Sequence, residues 1–390
     1  MDSQSHGVMT LFRVGRVIYG RPAAEVVVQE AERLNARCVL LLVASSLHAR
    51  TDEIAKVEEA LAGRHACTIA GIPPHSPESA IVAAAAQVGG MRIDLVVAIG
   101  GGSVTDAAKV LLVCLEHGID TTVALAVHRI QWHDGNPLPQ AVGPPKIPMI
   151  AVPTTLSAAE YTPIGGATDD GTRKKNAYGH VDLDIAAIVL DPAITAHTPD
   201  WLWLSTGMRA VDHAVEGLAS LRSNAFCDGL ATSALRLLVP GLKAIKADPA
   251  DMAARLACQM GSWQATIPLS HTPMGLSHSI SHALGSACQV PYGYTSCVML
   301  PHVFRWNMPA NAARQTLVTD ALGSPGASAA ETLGALITDL GLPQRLRDVD
   351  VREDQLADIA AATMHSHSTP ANPRPVTGPG DVIEILRAAL

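Results

Sequence analysis

One stretch, residues 94–110, constrains the fold of this chain more than any other. It reads DLVVAIGGGSVTDAAKV, in which an apolar run is followed by three glycines and a segment of good helix formers. The apolar run predicts a short strand buried on both faces, and the glycines predict a tight turn into a helix. Such a turn brings backbone N–H groups and the positive end of a helix dipole close to a phosphate. The stretch therefore indicates a phosphate-binding turn, although a tight turn without a ligand has the same pattern.

Helix-like and strand-like segments alternate on both sides of this stretch. We predict helices at 23–34, 51–62 and 76–88, and strands at 37–43, 65–72, 95–99, 147–152 and 186–190. Such alternation is typical of a parallel sheet covered by helices. From about residue 200 the chain is mostly Ala- and Leu-rich and helix-like. We therefore predict an α/β domain over residues 1–200 and an all-helical domain over residues 201–390.

The composition excludes several classes of protein. Of the 390 residues, 48% are hydrophobic and 16% are charged, which indicates a folded globular protein. The net charge of −8 gives no electrostatic basis for binding nucleic acid or an anionic membrane. The seven cysteines show no CxxC spacing, which is typical of reduced thiols. Since the sequence shows neither a signal-peptide core nor a run of about 18 uncharged apolar residues, we expect a cytoplasmic protein without a membrane partner.

Histidines gather in two helix-like stretches of the second half. His213 lies in STGMRAVDHAVEGL, and His278 and His282 lie one helical turn apart in GLSHSISHALG. Two histidines at i and i+4 form half of many metal sites, but they also line polar clefts that bind no metal. Arg209 lies one turn before His213, so an arginine projects beside one of these histidines. The alternative, from its spacing to Asp212, is an ordinary surface ion pair.

A further stretch, IPMIAVPTTLSAAEYTP at 147–163, places hydroxyl groups directly after a predicted strand. Thr154 and Thr155 follow the apolar run. The carboxyl ends of strands in open α/β sheets are where ligands bind, so these residues are candidates for a binding site. The alternative is a Thr/Ser turn that caps the next element.

Taken together, these stretches resemble the iron-containing (group III) alcohol dehydrogenase superfamily, and more closely its maleylacetate reductase-like branch. The resemblance spans almost the whole chain and is carried, in this order, by GGGSVTDAAK, PTTLSAAEYTPIGGATD, LDPAIT, STGMRAVDHAVEGL, GLSHSISHALG and NPRPVT. It implies the dehydroquinate synthase-like fold, with an α/β nucleotide-binding domain followed by an all-α catalytic domain. It also implies a homodimer and a nicotinamide cofactor, NAD or NADP.

The resemblance assigns cofactor contacts to residues of the first half, namely Gly100, Gly101, Gly102, Ser103, Asp106, Thr154, Thr155, Leu156, Lys175 and Ser45. The glycines and Ser103 would wrap the pyrophosphate, and Asp106 would lie near the nicotinamide. The segment of the two threonines and Leu156 would line the adenosine and ribose, and Lys175 would reach a ribose hydroxyl. Many NAD-preferring relatives have an acidic residue where this chain has Ser45, so the choice between NAD and NADP stays open.

The chain departs from the family pattern at the metal site. Metal-dependent relatives bind their ion with one Asp and three His, whereas here Arg209 replaces the Asp and Tyr292 replaces the last His. A cation about 4 Å from the ion would oppose its binding by roughly 4 kcal/mol per unit of charge. We therefore predict no metal here. We predict instead an organic electrophilic site of Arg209, His213, His278 and Tyr292, with His282 as a proton relay.

The sequence thus predicts an NAD(P)-dependent oxidoreductase that acts on a small carbonyl, enone or alcohol. Arg209 makes the pocket compatible with a carboxylate-bearing substrate. Two enzyme alternatives remain: a non-redox enzyme on the same fold, catalysing cyclisation, elimination or hydration, and a conventional iron or zinc alcohol dehydrogenase. A non-catalytic binding protein is the alternative from another class.

Overall fold

The computed structural model describes residues 9, 11, 13–133, 136–138 and 143–390. The chain divides into two compact units at Thr198 and Pro199. We call residues 13–198 the α/β unit and residues 199–390 the helical unit. The predicted fold class, a parallel α/β region followed by a helical region, is confirmed.

The α/β unit contains all strands found in the described residues. They are β1 (Val17–Tyr19), β2 (Val39–Val43), β3 (His65–Ala70), β4 (Leu95–Gly100), β5 (Trp132–His133), β6 (Asn136–Pro137), β7 (Met149–Pro153), β8 (Ile164–Thr168), β9 (Lys175–Gly179) and β10 (Ile185–Leu190). Six of them form a parallel sheet in the order β1-β10-β7-β4-β2-β3. The pairs β5–β6 and β8–β9 are antiparallel hairpins.

Helices lie between the parallel strands and after the last of them, since a parallel pair needs a crossover connection that is usually a helix. They are α1 (Ala23–Arg33), α2 (Ser45–Arg50), α3 (Glu53–Leu61), α4 (Glu78–Val88), α5 (Gly102–His117), α6 (Thr122–Ala126) and α7 (Pro192–Thr195). Every residue of the strands β2, β4, β7 and β10 is buried, which explains their continuous runs of apolar, often β-branched side chains. Burying one such side chain contributes about 1.5–3 kcal/mol relative to leaving it exposed.

The register of the sheet brings two of the predicted binding stretches to one edge. Gly100 at the end of β4 pairs with Pro153 at the end of β7, and Val43 at the end of β2 pairs with Ile99. The glycine turn and the threonines after β7 therefore start from adjacent strand ends. This carboxyl edge is where open parallel sheets bind ligands.

The helical unit is built from eight α-helices. They are α8 (Asp200–Ala219), α9 (Ala225–Ala247), α10 (Met252–Thr266), α11 (Leu276–Cys288), α12 (Tyr292–Ala321, kinked at Asn311), α13 (Ala329–Leu340), α14 (Leu356–Met364) and α15 (Pro379–Ala388). Helix α8 is buried on all sides from Trp203 to Ala219. Its polar side chains must therefore find partners inside the protein.

Among the described residues, one helix, α9, is long and apolar enough to cross a membrane by length and composition alone. It carries Arg236, Lys243 and an internal Pro240, and it packs against α8 and α10. Core helices of globular proteins pass the same test.

Most elements predicted from the sequence are present, with ends that differ by at most two residues. Strand β1 and the hairpin β8–β9 were not predicted. Strand β1 has only three residues, too few for a periodic pattern, and β8 contains Gly165 and Gly166, which have low β-propensity. The hairpin matters for the site, because β9 begins at Lys175.

Candidate functional site

The glycine turn lies between β4 and α5. Gly101 is the N-cap of α5, and it offers no side chain to cap the first backbone N–H groups. A Cβ on Gly102 would lie 2.7 Å from the Ser157 Oγ, and one on Gly101 would lie 3.0 Å from the Thr155 Cγ2. Glycine is therefore required for the segment after β7 to pack against the turn. An uncapped N-terminus of a 16-residue helix beside a close-packed turn is a suitable binding site for a pyrophosphate.

The segment after β7 is held against this turn by its backbone. The Thr154 N–H donates to the Gly100 carbonyl at 3.0 Å, and the Thr155 hydroxyl donates to the Ser157 Oγ at 3.2 Å. Both threonines are 6% exposed, and Leu156 is 1% exposed. The structure thus brings these residues to the turn, while their roles in lining the adenosine and ribose stay predictions.

Asp106 and Lys175, assigned to the cofactor by resemblance, form an ion pair at 3.0 Å. Two glycines of β8 make this contact possible. A Cβ on Gly165 would lie 2.6 Å from the Asp106 carbonyl oxygen, so β8 packs directly on α5. A Cβ on Gly166 would overlap the Lys175 Cε, so the lysine crosses the hairpin over this glycine. The hairpin therefore positions Lys175 next to the turn of α5 that carries Asp106.

Two further ionisable groups are buried behind this ion pair. The Lys109 ammonium donates to the carbonyls of Ala159 and Ile164 and lies 4.0 Å from the Asp106 carboxylate. Burial lowers the pKa of Lys109 to about 8. Burial raises the pKa of Glu160 to about 7, and its Oε2 has no hydrogen-bond partner. The sequence indicated that Asp106 and Lys109 share a helix face, but it did not indicate the burial of Lys109.

The turn before α4 contains two residues that the sequence did not indicate. His75 and Ser76 have φ values of 64° and 53°, a left-handed conformation that costs of order 1–3 kcal/mol per residue. The His75 N–H donates to the Ser103 Oγ at 3.2 Å, and the Ser76 hydroxyl donates to the Ser103 carbonyl at 2.8 Å. The Thr168 hydroxyl donates to the His75 carbonyl at 2.7 Å. These bonds hold the strained turn against the start of α5.

Ser45, the residue expected near the adenosine ribose, is the first residue of α2 and is exposed. The preceding Ala44 donates its N–H to the Ile99 carbonyl at 2.9 Å, which places the start of α2 beside the end of β4. The first turn of α2 carries no acidic residue. The role of Ser45 near the adenosine ribose stays a prediction.

In the helical unit, four polar side chains share one face of α8: Arg209, Asp212, His213 and Glu216. Successive members lie three, one and three residues apart, and residues three or four apart lie on the same face of a helix. All four are buried, with 0–7% of each residue exposed. An isolated buried charge is costly, so these groups must satisfy one another and their neighbours.

Asp212 is the centre of the first part of this network. Its Oδ2 accepts from the hydroxyls of Ser296 at 2.6 Å and Ser277 at 2.9 Å, and it lies 3.4 Å from the Arg209 Nη1. The same Nη1 donates to the Ser296 Oγ at 3.1 Å, and the Asp212 Oδ1 has no partner. The alternative of an ordinary surface ion pair is wrong: the side chains of Arg209 and Asp212 are only 8% and 0% exposed, because α8 is buried on all sides.

Glu216 is the centre of the second part. Its Oε1 accepts from the Ser277 N–H at 3.0 Å. Its Oε2 lies 3.3 Å from the Gly275 nitrogen and 3.1 Å from the His278 Nδ1. A Cβ on Gly275 would lie 2.9 Å from the Glu216 Oε1, so glycine allows this approach. Glu216 thus binds the N-terminus of α11, next to Asn372, whose Oδ1 accepts the Leu276 N–H at 3.1 Å.

Four aromatic rings follow one another in a series that we call the ring row: His213, His278, His282 and Tyr292. Successive ring centroids are 5.0, 6.2 and 5.7 Å apart. His213 and His278 are buried, Tyr292 is half-buried and His282 is exposed. The Tyr292 ring lies on Gly285, where a Cβ would be 2.6 Å from its Cε1. The structure therefore brings together the predicted catalytic residues, whose roles stay predictions.

Burial shifts the proton affinities of this network. It raises the pKa values of Asp212 and Glu216 to about 7, with the two carboxylates also disfavouring each other at Asp212. It lowers the pKa values of His213 and His278 well below the ordinary value, and the nearby Arg209 lowers both further. Both buried rings are therefore neutral near pH 7.

Asp212, Glu216 and His278 also form a group that could hold a metal ion, since one ligand atom of each lies within 4.8 Å of the others. The two carboxylates are already engaged by hydroxyl and N–H donors. The Arg209 guanidinium lies 3.4 Å from the Asp212 Oδ2. This donor set shares only His278 with the positions that the family pattern assigns to the metal.

Sequence reasoning missed Asp212 as a site residue, together with Glu216, Ser277 and Ser296. The signal for the first two was their spacing from Arg209 and His213, which places them on the same face of α8. The two serines carry no comparable signal, because only the packing of α11 and α12 against α8 brings their hydroxyls to Asp212.

Comparisons with known proteins agree with this architecture. Residues 15–192 match the profile of the family described as iron-containing alcohol dehydrogenase, and residues 203–390 match that of the Fe-containing alcohol dehydrogenase family, C-terminal. The chain is 33% identical over 354 residues to Dehydrogenase ALT3 of Alternaria alternata, covering 82% of this chain and 90% of that protein. It is 28% identical to a maleylacetate reductase of Sphingobium indicum, covering 96% and 95% of the two chains. The crystal structure of a 1,3-propanediol oxidoreductase superposes with a TM-score of 0.87 at 25% identity, over 98% of this chain and 100% of that one. The chain therefore belongs to the iron-containing alcohol dehydrogenase family, whose members are oxidoreductases.

Proposed function

We propose that this protein is an NAD(P)-dependent oxidoreductase that interconverts a small carbonyl or enone with its reduced form, and that it does so without a metal ion. The observation that carries the proposal is the Arg209 guanidinium, which is buried beside Asp212 on the helix face that also carries His213. It places a fixed positive charge among groups that can bind and protonate an oxygen atom.

The cofactor would be held by the α/β unit. The uncapped start of α5 at Gly101 and Gly102 suits the pyrophosphate, and the Asp106–Lys175 pair offers polar groups to the ribose and nicotinamide. When bound, the nicotinamide would supply or accept the hydride of the reaction. The neutral, exposed Ser45 supports a site that tolerates either NAD or NADP.

Arg209 would stabilise the negative charge that develops on the substrate oxygen. Inside a buried network such a charge acts more strongly than in water, and removing one preorganised donor typically costs about 10²–10³-fold in rate. Tyr292 and His282, at the exposed end of the ring row, would exchange protons with that oxygen. A guanidinium also binds a carboxylate bidentately, which suits an acidic substrate such as that in the name of the Sphingobium relative.

Metal independence rests on the residues at both candidate positions. At the position of the family pattern, Arg209 and Tyr292 stand in place of two ligands. At the Asp212–Glu216–His278 group, an ion would displace hydroxyl and N–H donors from the carboxylates and lie close to a guanidinium. Neither donor set fits a divalent cation, because the positive charge of the Arg209 guanidinium would repel the ion at both positions.

We also propose that the protein is a cytoplasmic homodimer with a small-molecule substrate and no nucleic-acid or membrane partner. The net charge of −8 supports the absence of an anionic partner. The seven cysteines, all free thiols in the structure, suit a reducing compartment.

The experiment that tests the cofactor is a fluorescence titration of the purified protein with NADH and, separately, with NADPH. We expect saturable binding of at least one, which a variant with alanine at Gly102 should lose, because its added Cβ meets Ser157. Binding of neither would refute the oxidoreductase proposal and favour a non-redox reaction on the same fold. Binding without turnover of any carbonyl, enone or alcohol would favour a binding protein.

A further inference from the structure

Glu216 receives hydrogen bonds from three directions, and only one of them comes from a side chain. The Ser277 N–H reaches Oε1, while the Gly275 N–H and the His278 Nδ1 both reach Oε2. The two backbone groups are fixed donors at the N-terminus of α11, whose dipole favours a negative charge. These fixed donors favour the ionised form of Glu216, and at pH 8, above its pKa of about 7, Glu216 is a carboxylate, which can only accept hydrogen bonds.

An accepting carboxylate oxygen at 3.1 Å requires a hydrogen on the His278 Nδ1. A neutral imidazole carries a single N–H, so a hydrogen on Nδ1 leaves Nε2 with a free lone pair. We propose that Glu216 is a positioning residue, which fixes the neutral ring of His278 in the tautomer protonated at Nδ1 and makes Nε2 a hydrogen-bond acceptor.

With this tautomer, Arg209 and His278 have different roles toward the substrate, and these roles rest on the proposed function. Arg209 can only donate, and the Nε2 of His278 can only accept as long as the ring is neutral and Nδ1 carries the hydrogen. The site thus pairs a cationic donor with a neutral acceptor, both bound to the same buried carboxylate pair. This pairing fits the reduced form of the substrate, in which the oxygen carries a hydrogen that Nε2 can accept.

Asn372 provides the matched control. It binds the N-terminus of the same helix through the Leu276 N–H, and it also pairs with the amide of Asn307, but it makes no described contact with His278. Removing its side chain weakens the start of α11 without removing the acceptor from His278. If Glu216 acts only as a helix cap, then Glu216→Ala and Asn372→Ala should have the same effects.

The experiment uses EDTA-treated protein labelled with ¹⁵N-histidine, and its readout is the long-range ¹H–¹⁵N spectrum at pH 8. The signals of His278 are identified by their loss in His278→Gln. We expect wild type to show a protonated Nδ1 and a bare Nε2. Glu216→Ala should abolish this pattern, and Asn372→Ala should keep it. A protonated Nε2 in wild type would overturn the proposal, and so would loss of the pattern in Asn372→Ala.

Kinetics supply the second readout. Glu216→Ala should lower kcat about 10- to 100-fold, the usual effect of removing a partner that orients a functional histidine, with unchanged affinity for NADH or NADPH. An equal loss of kcat in Asn372→Ala would contradict a positioning role. The two proposals are tested by different results. If the protein binds neither NADH nor NADPH, it is not the proposed oxidoreductase, but the spectrum of the wild-type protein still decides the tautomer of His278.

Discussion

Replacing Arg209 with methionine tests the centre of the proposed site. The substitution keeps an unbranched side chain of similar reach and removes the guanidinium, which contacts the Asp212 carboxylate and the Ser296 hydroxyl. If this cation stabilises the developing oxyanion, then kcat should fall by about 10²–10³-fold, or about 2.7–4 kcal/mol of transition-state stabilisation. The affinity for NADH or NADPH should not change, because the proposed cofactor-binding residues belong to the α/β unit and Arg209 belongs to the helical unit.

The same substitution should also destabilise the fold. Breaking a buried ion pair by removing one partner costs about 3–5 kcal/mol when the other charge remains. Here the cost is limited, because the pKa of Asp212 is already raised to about 7 by burial and the carboxyl can take up a proton. The loss in free energy of unfolding should therefore be smaller at pH 6 than at pH 8, which urea denaturation at both values measures.

A double variant separates the two effects. Arg209→Met combined with Asp212→Asn removes both charges and leaves no buried carboxylate without its cation, so it should recover stability. It should not recover turnover, which needs the guanidinium. The reasoning is refuted if Arg209→Met keeps more than about a tenth of wild-type kcat, a loss under about 1.4 kcal/mol. It is equally refuted if the double variant recovers activity together with stability.

Three further predictions concern the α/β unit and the metal. Gly166→Ala should displace Lys175 and weaken cofactor binding by about tenfold or more, which corresponds to the loss of one charge-assisted hydrogen bond. The control is Gly171→Ala in the same hairpin, whose Cβ would come no closer than 3.5 Å to Asp169. This control should bind the cofactor normally in the same fluorescence titration. Burial raises the pKa of Glu160 from 4.5 to about 7, so the folded protein keeps a proton that the unfolded chain releases, and this contribution to stability is lost as pH rises through about 7. Glu160→Gln should therefore gain stability relative to wild type between pH 5 and pH 8, as measured by urea denaturation. A stability difference that stays constant with pH would argue against the shift. Dialysis against EDTA should leave kcat unchanged, and the purified protein should contain substoichiometric iron and zinc. If activity is lost on dialysis and restored by either ion, the protein is better described as a conventional metal-dependent dehydrogenase.

The sequence predicted the α/β unit well because its signals are local. Each buried strand is a continuous apolar run, and the glycine turn after β4 is a short motif with a mechanical reason for each glycine. What single segments do not encode is their pairing. Only the register that places Gly100 beside Pro153 joins the glycine turn and the threonines after β7 into one candidate site.

The helical unit shows the opposite case. Periodicity distinguishes a buried face from an exposed face, but α8 is buried all round, so its pattern did not reveal that Arg209 and Asp212 lie inside the protein. The hydroxyls of Ser277 and Ser296 reach Asp212 from two other helices, more than sixty residues away in sequence. Contacts of this kind depend on tertiary packing. The strained pair His75 and Ser76 is similar, since the sequence predicted that the helix begins at residue 76, whereas Ser76 lies in a left-handed turn before α4.

If Arg209 serves in place of a metal ion, as proposed, its position on a fully buried helix has a consequence for how the protein is made. A cation that belongs to the chain is in place as soon as α8 packs, and it cannot be lost to a chelator or exchanged for a different ion. Its amount equals the amount of folded protein, whatever the supply of iron or zinc in the cell. An organism that used this chain in place of a metal-loaded relative would free one reaction from competition for a scarce nutrient.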